Sequence, residues 1–190
     1  MNIIVRSLRG DFFVRPDTSW ERKSGDFYPP DFVSALDFTP VIFACICKPG
    51  RSIPENFACR YFDRVGFGAL FYPSDMLDGS AVSIARASCL DHSSYLPHPM
   101  ASVPAGGDLS RRGYSMRVNG REVFNGEGVS RTDIGKAISE SSGIIYLRYG
   151  DVIAIELADP VRIVSRENRL ENEISLTFDG APDCSFRVLF

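Results

Sequence analysis

Residues 41–47, VIFACIC, are seven apolar residues without a break. So short and continuous a run is expected of a strand covered on both faces. It ends at KPGR, residues 48–51, where Pro and Gly mark a turn. Ser52 is then a good N-cap, and Glu55 three residues on completes a capping box, with Pro54 tolerated in the first turn. Phe57 and Tyr61 fall on one face of the short helix this predicts. Residues 65–72, VGFGALFY, read as a second strand, and Asp78-Gly79-Ser80 turns out of it. The rest of the chain has to be organised around this strand–turn–helix–strand unit.

On the N-terminal side, residues 2–7 and 11–15 read as strands, and 20–30 is turn-rich. After the unit, residues 81–87 read as a strand. Residues 88–107 contain proline and glycine without periodicity, which predicts a long surface loop. Segments 114–119 and 121–124 form a hairpin around Asn119-Gly120, a strong hairpin signal. Thr132 can cap a helix over 133–140, with Ile134, Ala137 and Ile138 inward and Gly143 at its stop. Residues 149–157 read as a strand. Segments 173–178 and 185–190 read as a terminal hairpin turned by DGAPD at 179–183. Gly66-x-Gly68 is too short for a dinucleotide loop and reads as a strand feature.

The order ICKPGRSIPENFACRYFDRVGFGALFYPSDMLDGS resembles the fumarylacetoacetate hydrolase family. Members carry an I-C-x-x-G-type turn, a helix, a strand and then F-D-G-S. Arg15-Pro16-Asp17-Thr18-Ser19 with residues 26–32 is similar to the family's K-P-D-S…P-F-x-x-P-D-F stretch. Val118-Asn119-Gly120 and Gly150-Asp151-Val152-Ile153 are similar to its V-N-G and G-D-V-I pieces. The many short strands, two helical segments and this motif order together predict an α+β fold. They describe a mixed, strongly curved sheet or β-roll with a few short helices, in one domain over residues 1–190. Little chain separates the opening strand from Arg15-Pro16-Asp17, so the family's N-terminal lid is expected to be shortened.

The resemblance implies a catalytic centre in which three carboxylates hold a divalent cation: two Glu on the first strand and an Asp on the next. Counted onto this sequence, those positions hold Thr39, Val41 and Leu70. The family's G-T-P-x-G-V loop is replaced by ELADPV at 156–161. A Mg²⁺-type ion needs hard, usually anionic oxygen ligands. Thr39 offers one neutral hydroxyl, Val41 and Leu70 offer nothing, and the vacated space is expected to pack as core. The expectation is a binding or interaction module that has lost metal-dependent catalysis and uses no cofactor. The alternative is a hydrolase, decarboxylase or isomerase of a small oxo or diketo acid. It would hold Mg²⁺ or Mn²⁺ on a site rebuilt from Asp37, Asp75, Asp78, His92 or His98. A third reading is a structural subunit paired with an active paralogue. By resemblance the partners are a small oxo-acid ligand and a second copy of the chain. Phe186, Val188 and Phe190 of the terminal hairpin, which need cover, also argue for a homodimer.

Net charge −3, from 21 basic and 24 acidic residues, gives no electrostatic reason to expect nucleic acid or an anionic membrane as partner. No apolar run approaches the roughly 20 residues that span a bilayer, and MNIIVRSLRGD is too short in apolar residues for a signal peptide. The cytoplasm is the expected compartment. Five cysteines, an odd number, fit a reducing environment and are expected to be reduced and mostly buried.

Overall fold

The computed structural model describes residues 1–190 apart from 24, 104–106, 128, 180 and 182. At its centre β4 (Ala35–Ile46) and β5 (Phe62–Pro73) run antiparallel, twelve residues each. Side chains alternate along β4: Leu36, Phe38, Ile42, Ala44 and Ile46 enter one apolar cluster, while Val41, Phe43 and Cys45 enter another. The unbroken apolar run thus reflects burial on both faces, as expected.

Around this pair lie β1 (Ile3–Arg6), β2 (Phe12–Arg15), β3 (Trp20–Glu21), β6 (Ser94–Tyr95) and β10 (Val152–Glu156), in the order β2-β1-β10-β4-β5-β6-β3. Two further strands, β7 (Ala101–Ser102) and β11 (Val161–Ser165), pair with β5 and β4. The β1–β10 and β3–β6 pairings are parallel and the others antiparallel, so the sheet is mixed. A second sheet holds β8 (Gly113–Val118), β9 (Arg121–Glu127), β12 (Glu171–Phe178) and β13 (Cys184–Leu189), in the order β13-β12-β8-β9. Its Tyr114, Met116, Ile174, Leu176, Phe186 and Val188 pack on the first cluster, where Phe67 stacks on Tyr114 and Tyr95 on Phe186.

The large sheet curls on itself. Arg15 ends the edge strand β2, separated from β5 by three strands in sheet order, yet its Nη2 donates to the Phe71 carbonyl of β5 at 2.9 Å. The second apolar cluster fills the inside of this half-barrel. Among the described residues three α-helices complete the fold: α1 (Glu55–Ala58), α2 (Ala81–Ala87) and α3 (Arg131–Ile144). The α+β, strongly curved sheet read from the sequence is the one observed. No described helix is long and apolar enough to cross a membrane.

Several local expectations are corrected. Ser52 does not cap α1: it sits at φ 50°, Pro54 holds the N-cap position, and no side chain caps the helix. The chain there is instead tied to α3, through Ser52 N to Ser142 O and Ile53 N to Ser142 Oγ. Because α1 stops at Ala58, Phe57 and Tyr61 share no helical face, and exposed Phe57 lies under Arg60. Residues 81–87 are helix rather than strand, since the Ser80 hydroxyl accepts from Ser83 N and starts a turn. Ser130 caps α3 in a capping box with Asp133, in place of Thr132, and the helix runs through Gly143. Ile134, Ala137 and Ile138 are buried as expected.

The 88–107 segment is not a surface loop throughout: residues 93–96 are buried against β5. Gly68 makes room for it, because a Cβ there would lie 2.3 Å from the Tyr95 carbonyl oxygen. Asn119 and Gly120 form the expected hairpin turn with φ of 52° and 78°. The expected 179–183 turn lies partly outside the described residues. Phe186 and Val188 are covered by their own chain, and Phe190 packs on the same cluster, so the hairpin gives no reason for a second copy. All five cysteines are thiols, but only Cys45 and Cys184 are buried; Cys47 and Cys59 are half-buried and Cys89 is exposed.

Candidate functional site

The positions to which the motif order assigns metal-binding carboxylates come together inside the half-barrel. Thr39 and Leu70 are register partners across β4 and β5, and Val41 lies two residues along on the same face, opposite Gly68. The geometry that would converge three side chains is therefore present. The chemistry is not. All three are fully buried, and Val41 and Leu70 pack with Phe43, Tyr72, Leu96 and Met100. The Thr39 hydroxyl is already used, donating to the Ala158 carbonyl at 2.5 Å. One committed hydroxyl and two hydrocarbon side chains do not fit a hard divalent cation. Among the described residues no group of three or more His, Cys, Asp or Glu is placed to hold a metal ion.

The same inner layer holds three polar residues, Arg15, Tyr72 and Glu156, that were not among the expected site residues. Arg15 is completely buried; its Nη2 also reaches Ser93 Oγ at 2.6 Å, while Nε and Nη1 have no hydrogen-bond partner. Its guanidinium lies over the Tyr72 ring, 4.8 Å from the centroid. The Tyr72 hydroxyl donates to Glu156 Oε1 at 3.0 Å, and Leu8 N donates to Glu156 Oε2 at 3.4 Å. Glu156 is the register partner of Val41 on β10. Burial pushes the Glu156 carboxyl above the usual range, with Tyr72, Leu8 and Arg15 pulling it back. Burial likewise raises the Tyr72 phenol and lowers the Arg15 guanidinium. The three thus tie β2, β5 and β10 together with opposite charges separated by one aromatic ring. Their signal was in the sequence: Arg15, Tyr72 and Glu156 share strand faces with Phe13, Leu70 and Ala154, where charge is unusual.

The proposed substitute ligands do not assemble. Asp37 accepts from Ser74 Oγ and pairs with Arg162 at 3.6 Å. Asp75 is exposed and binds Ser34 N and Oγ, which lower its pKa. Asp78 is exposed before α2, where Ser80 holds its pKa down at about 2. His92 carries φ 56° and its Nδ1 lies 3.2 Å from Glu21 Oε2. His98 stacks on Trp20, and burial lowers its pKa. His92 does line a cleft of about 550 Å³, together with Phe27, Tyr28, Phe32, Met76 and Arg86. Another cleft, of about 560 Å³, is lined by Cys47, Lys48, Cys59, Arg60 and Arg131. Neither is lined by Thr39, Val41 or Leu70.

No protein-family model matches the sequence, and no curated protein sequence does. Solved structures do match. Fumarylpyruvate hydrolase from Pseudomonas aeruginosa, in complex with Mn²⁺ and pyruvate, superposes with a TM-score of 0.83 at 15% identity, over 100% of this chain and 90% of that one. A protein from Yersinia pestis described as of the fumarylacetoacetate hydrolase family gives 0.80 at 16% identity, over 99% and 92%. The 2-hydroxyhepta-2,4-diene-1,7-dioate isomerase from Mycobacterium marinum gives 0.79 at 17%, over 99% and 74%. At these identities what is shared is the fold, and the fold is that of the fumarylacetoacetate hydrolase family.

Proposed function

We propose that the protein is a non-catalytic binding or interaction module built on the fumarylacetoacetate hydrolase fold. The observation that carries this reading is the full burial of Thr39, Val41 and Leu70, with Val41 and Leu70 packed among apolar side chains and the Thr39 hydroxyl committed to Ala158 O. A cation centre at that place would need anionic oxygen ligands and an opening for substrate. The inner layer instead contains close-packed side chains and a charge pair neutralised from within the chain. A small oxo acid bound without turnover, and a homodimer, belong to this reading.

The test is thermal melting with millimolar Mn²⁺ or Mg²⁺ and with EDTA, together with assays on acylpyruvates and oxaloacetate. A ligand specific to the folded state raises the melting temperature by mass action. The expected result is no metal-dependent shift and no turnover. A shift with copurified stoichiometric metal would replace this reading with that of a small-oxo-acid hydrolase, decarboxylase or isomerase. One observation favours that second reading: Glu156 places a carboxylate one strand from Val41.

A further inference from the structure

Segments 47–54, CKPGRSIP, and 141–150, SSGIIYLRYG, contain three basic residues and no acidic one. The fold lays them side by side. Gly50 N donates to Leu147 O at 3.0 Å and Leu147 N to Gly50 O at 2.9 Å, with Gly150 N to Ile46 O and Ser52 N to Ser142 O on either side. Leu147 is fully buried and anchors the pair, so the flanking side chains stand on a fixed backbone. Ile144, Tyr146 and Tyr149 are 72%, 51% and 71% exposed. Lys48, Arg51 and Arg148 are exposed among them and make no ion pair with a described residue. Of the acids nearby, Asp63 and Glu140 are already paired with Arg64 and Arg6, Asp151 is buried and accepts from Asn2 N and Arg148 N, and Glu55 is exposed just after the first segment.

Exposed tyrosine, isoleucine and arginine with few exposed acidic neighbours is the composition of a protein interface rather than of bulk surface. We propose that this face docks an acidic segment of a partner protein, carboxylates on Lys48, Arg51 and Arg148 and apolar side chains against Ile144, Tyr146 and Tyr149. The charge identifies the class of partner. The whole chain carries net charge −3, so an extended polyanion such as nucleic acid or an anionic bilayer meets repulsion beyond the patch. A short peptide stays within the roughly 10 Å over which unscreened charges act, and meets chiefly the three cations. The patch lies outside the inner layer of Thr39, Val41 and Leu70, so this inference stands or falls separately from the loss of metal chemistry.

The experiment is fluorescence anisotropy with a labelled peptide in which aspartates alternate with leucine and phenylalanine. Saturable binding that weakens as salt rises is expected. The charge reversal Lys48→Glu, Arg51→Glu, Arg148→Glu should weaken it about tenfold, the three lost attractions being replaced by repulsions. Tyr146→Ser with Tyr149→Ser should weaken it while leaving the salt dependence in place. Arg121→Glu, on the remote strand β9, should leave it unchanged, and circular dichroism confirms that each variant is folded. No binding by the wild type, equal loss in Arg121→Glu, or tighter binding to phosphatidylserine vesicles or oligothymidylate would overturn the proposal.

Discussion

Thr39 and Leu70 face each other as register partners across the two central strands, and both are completely buried. The Cβ atoms of such a pair lie about 4.5–5.5 Å apart, near enough for carboxylates at both positions to share one cation. Their distance is therefore right for a metal centre and their chemistry is wrong. That makes the backbone testable independently of the activity. The set Thr39→Glu, Val41→Glu, Leu70→Asp should melt well below the wild type without metal, because it buries mutually repelling carboxylates in a hydrocarbon layer. Mn²⁺ at about 100 times its dissociation constant should restore roughly 2.7 kcal/mol. A melting curve indifferent to Mn²⁺ would show that the three positions do not converge as described.

Arg15 and Glu156 should be strongly coupled through Tyr72. Arg15→Met removes the buried cation and the donor to Phe71 O and Ser93 Oγ, leaving Glu156 without its counter-charge. Breaking a buried pair in this way costs about 3–5 kcal/mol. Arg15→Met combined with Glu156→Leu should lose clearly less than the sum of the single changes. Additive losses from denaturant unfolding would mean that the two charges do not sense each other.

These residues also show where the sequence was legible and where it was not. The apolar run at 41–47 disclosed the central strand because burial on both faces leaves no polar alternation to misread. The Asn119-Gly120 turn was legible because both residues need positive φ. Residues 81–87 were misread as a strand because Ser80 sits outside the apolar segment that suggested one, and its hydroxyl decides the local structure. The buried 93–96 segment was hidden for a different reason. What buries it is the absence of a side chain at Gly68 on another strand, together with Arg15 reaching Ser93 across the curl. Curling of the sheet is a tertiary fact, and no local pattern around Arg15, Tyr72 or Glu156 announces that the three meet.

Glu156 should make stability depend on pH. Its folded-state pKa is raised above the ordinary 4.5, burial being the largest cause. The folded protein therefore holds this proton more tightly than the unfolded chain does. The associated stability is fully present below the ordinary pKa and is lost as pH rises through the raised one. Melting temperature measured upward from pH 4.5 should fall, and Glu156→Gln should flatten that part of the profile. An unchanged slope in Glu156→Gln would assign the pH dependence to other groups.

Thiol reactivity separates the five cysteines by position. Cys89 ends the turn after α2, is exposed, and its Sγ donates to the Ala85 carbonyl at 3.4 Å. Cys45 is buried, and burial raises its pKa, so the reactive thiolate is scarce there even when reagent arrives. Cys47 is half-buried, its pKa raised first by burial and then by Asp63, and its Sγ points at the Arg60 carbonyl. Cys59 Sγ is held at the Arg131 carbonyl at 3.3 Å, and Cys184 is buried in the larger cluster. A thiol reagent added to native protein should therefore consume one equivalent quickly. Cys89→Ser should remove that phase. Cys47 and Cys59 should follow slowly, and Cys45 and Cys184 only on unfolding. Rapid loss of several equivalents from the native Cys89→Ser protein would show that the ends of β4 and α1, where Cys47 and Cys59 sit, open far more readily than their hydrogen bonds imply.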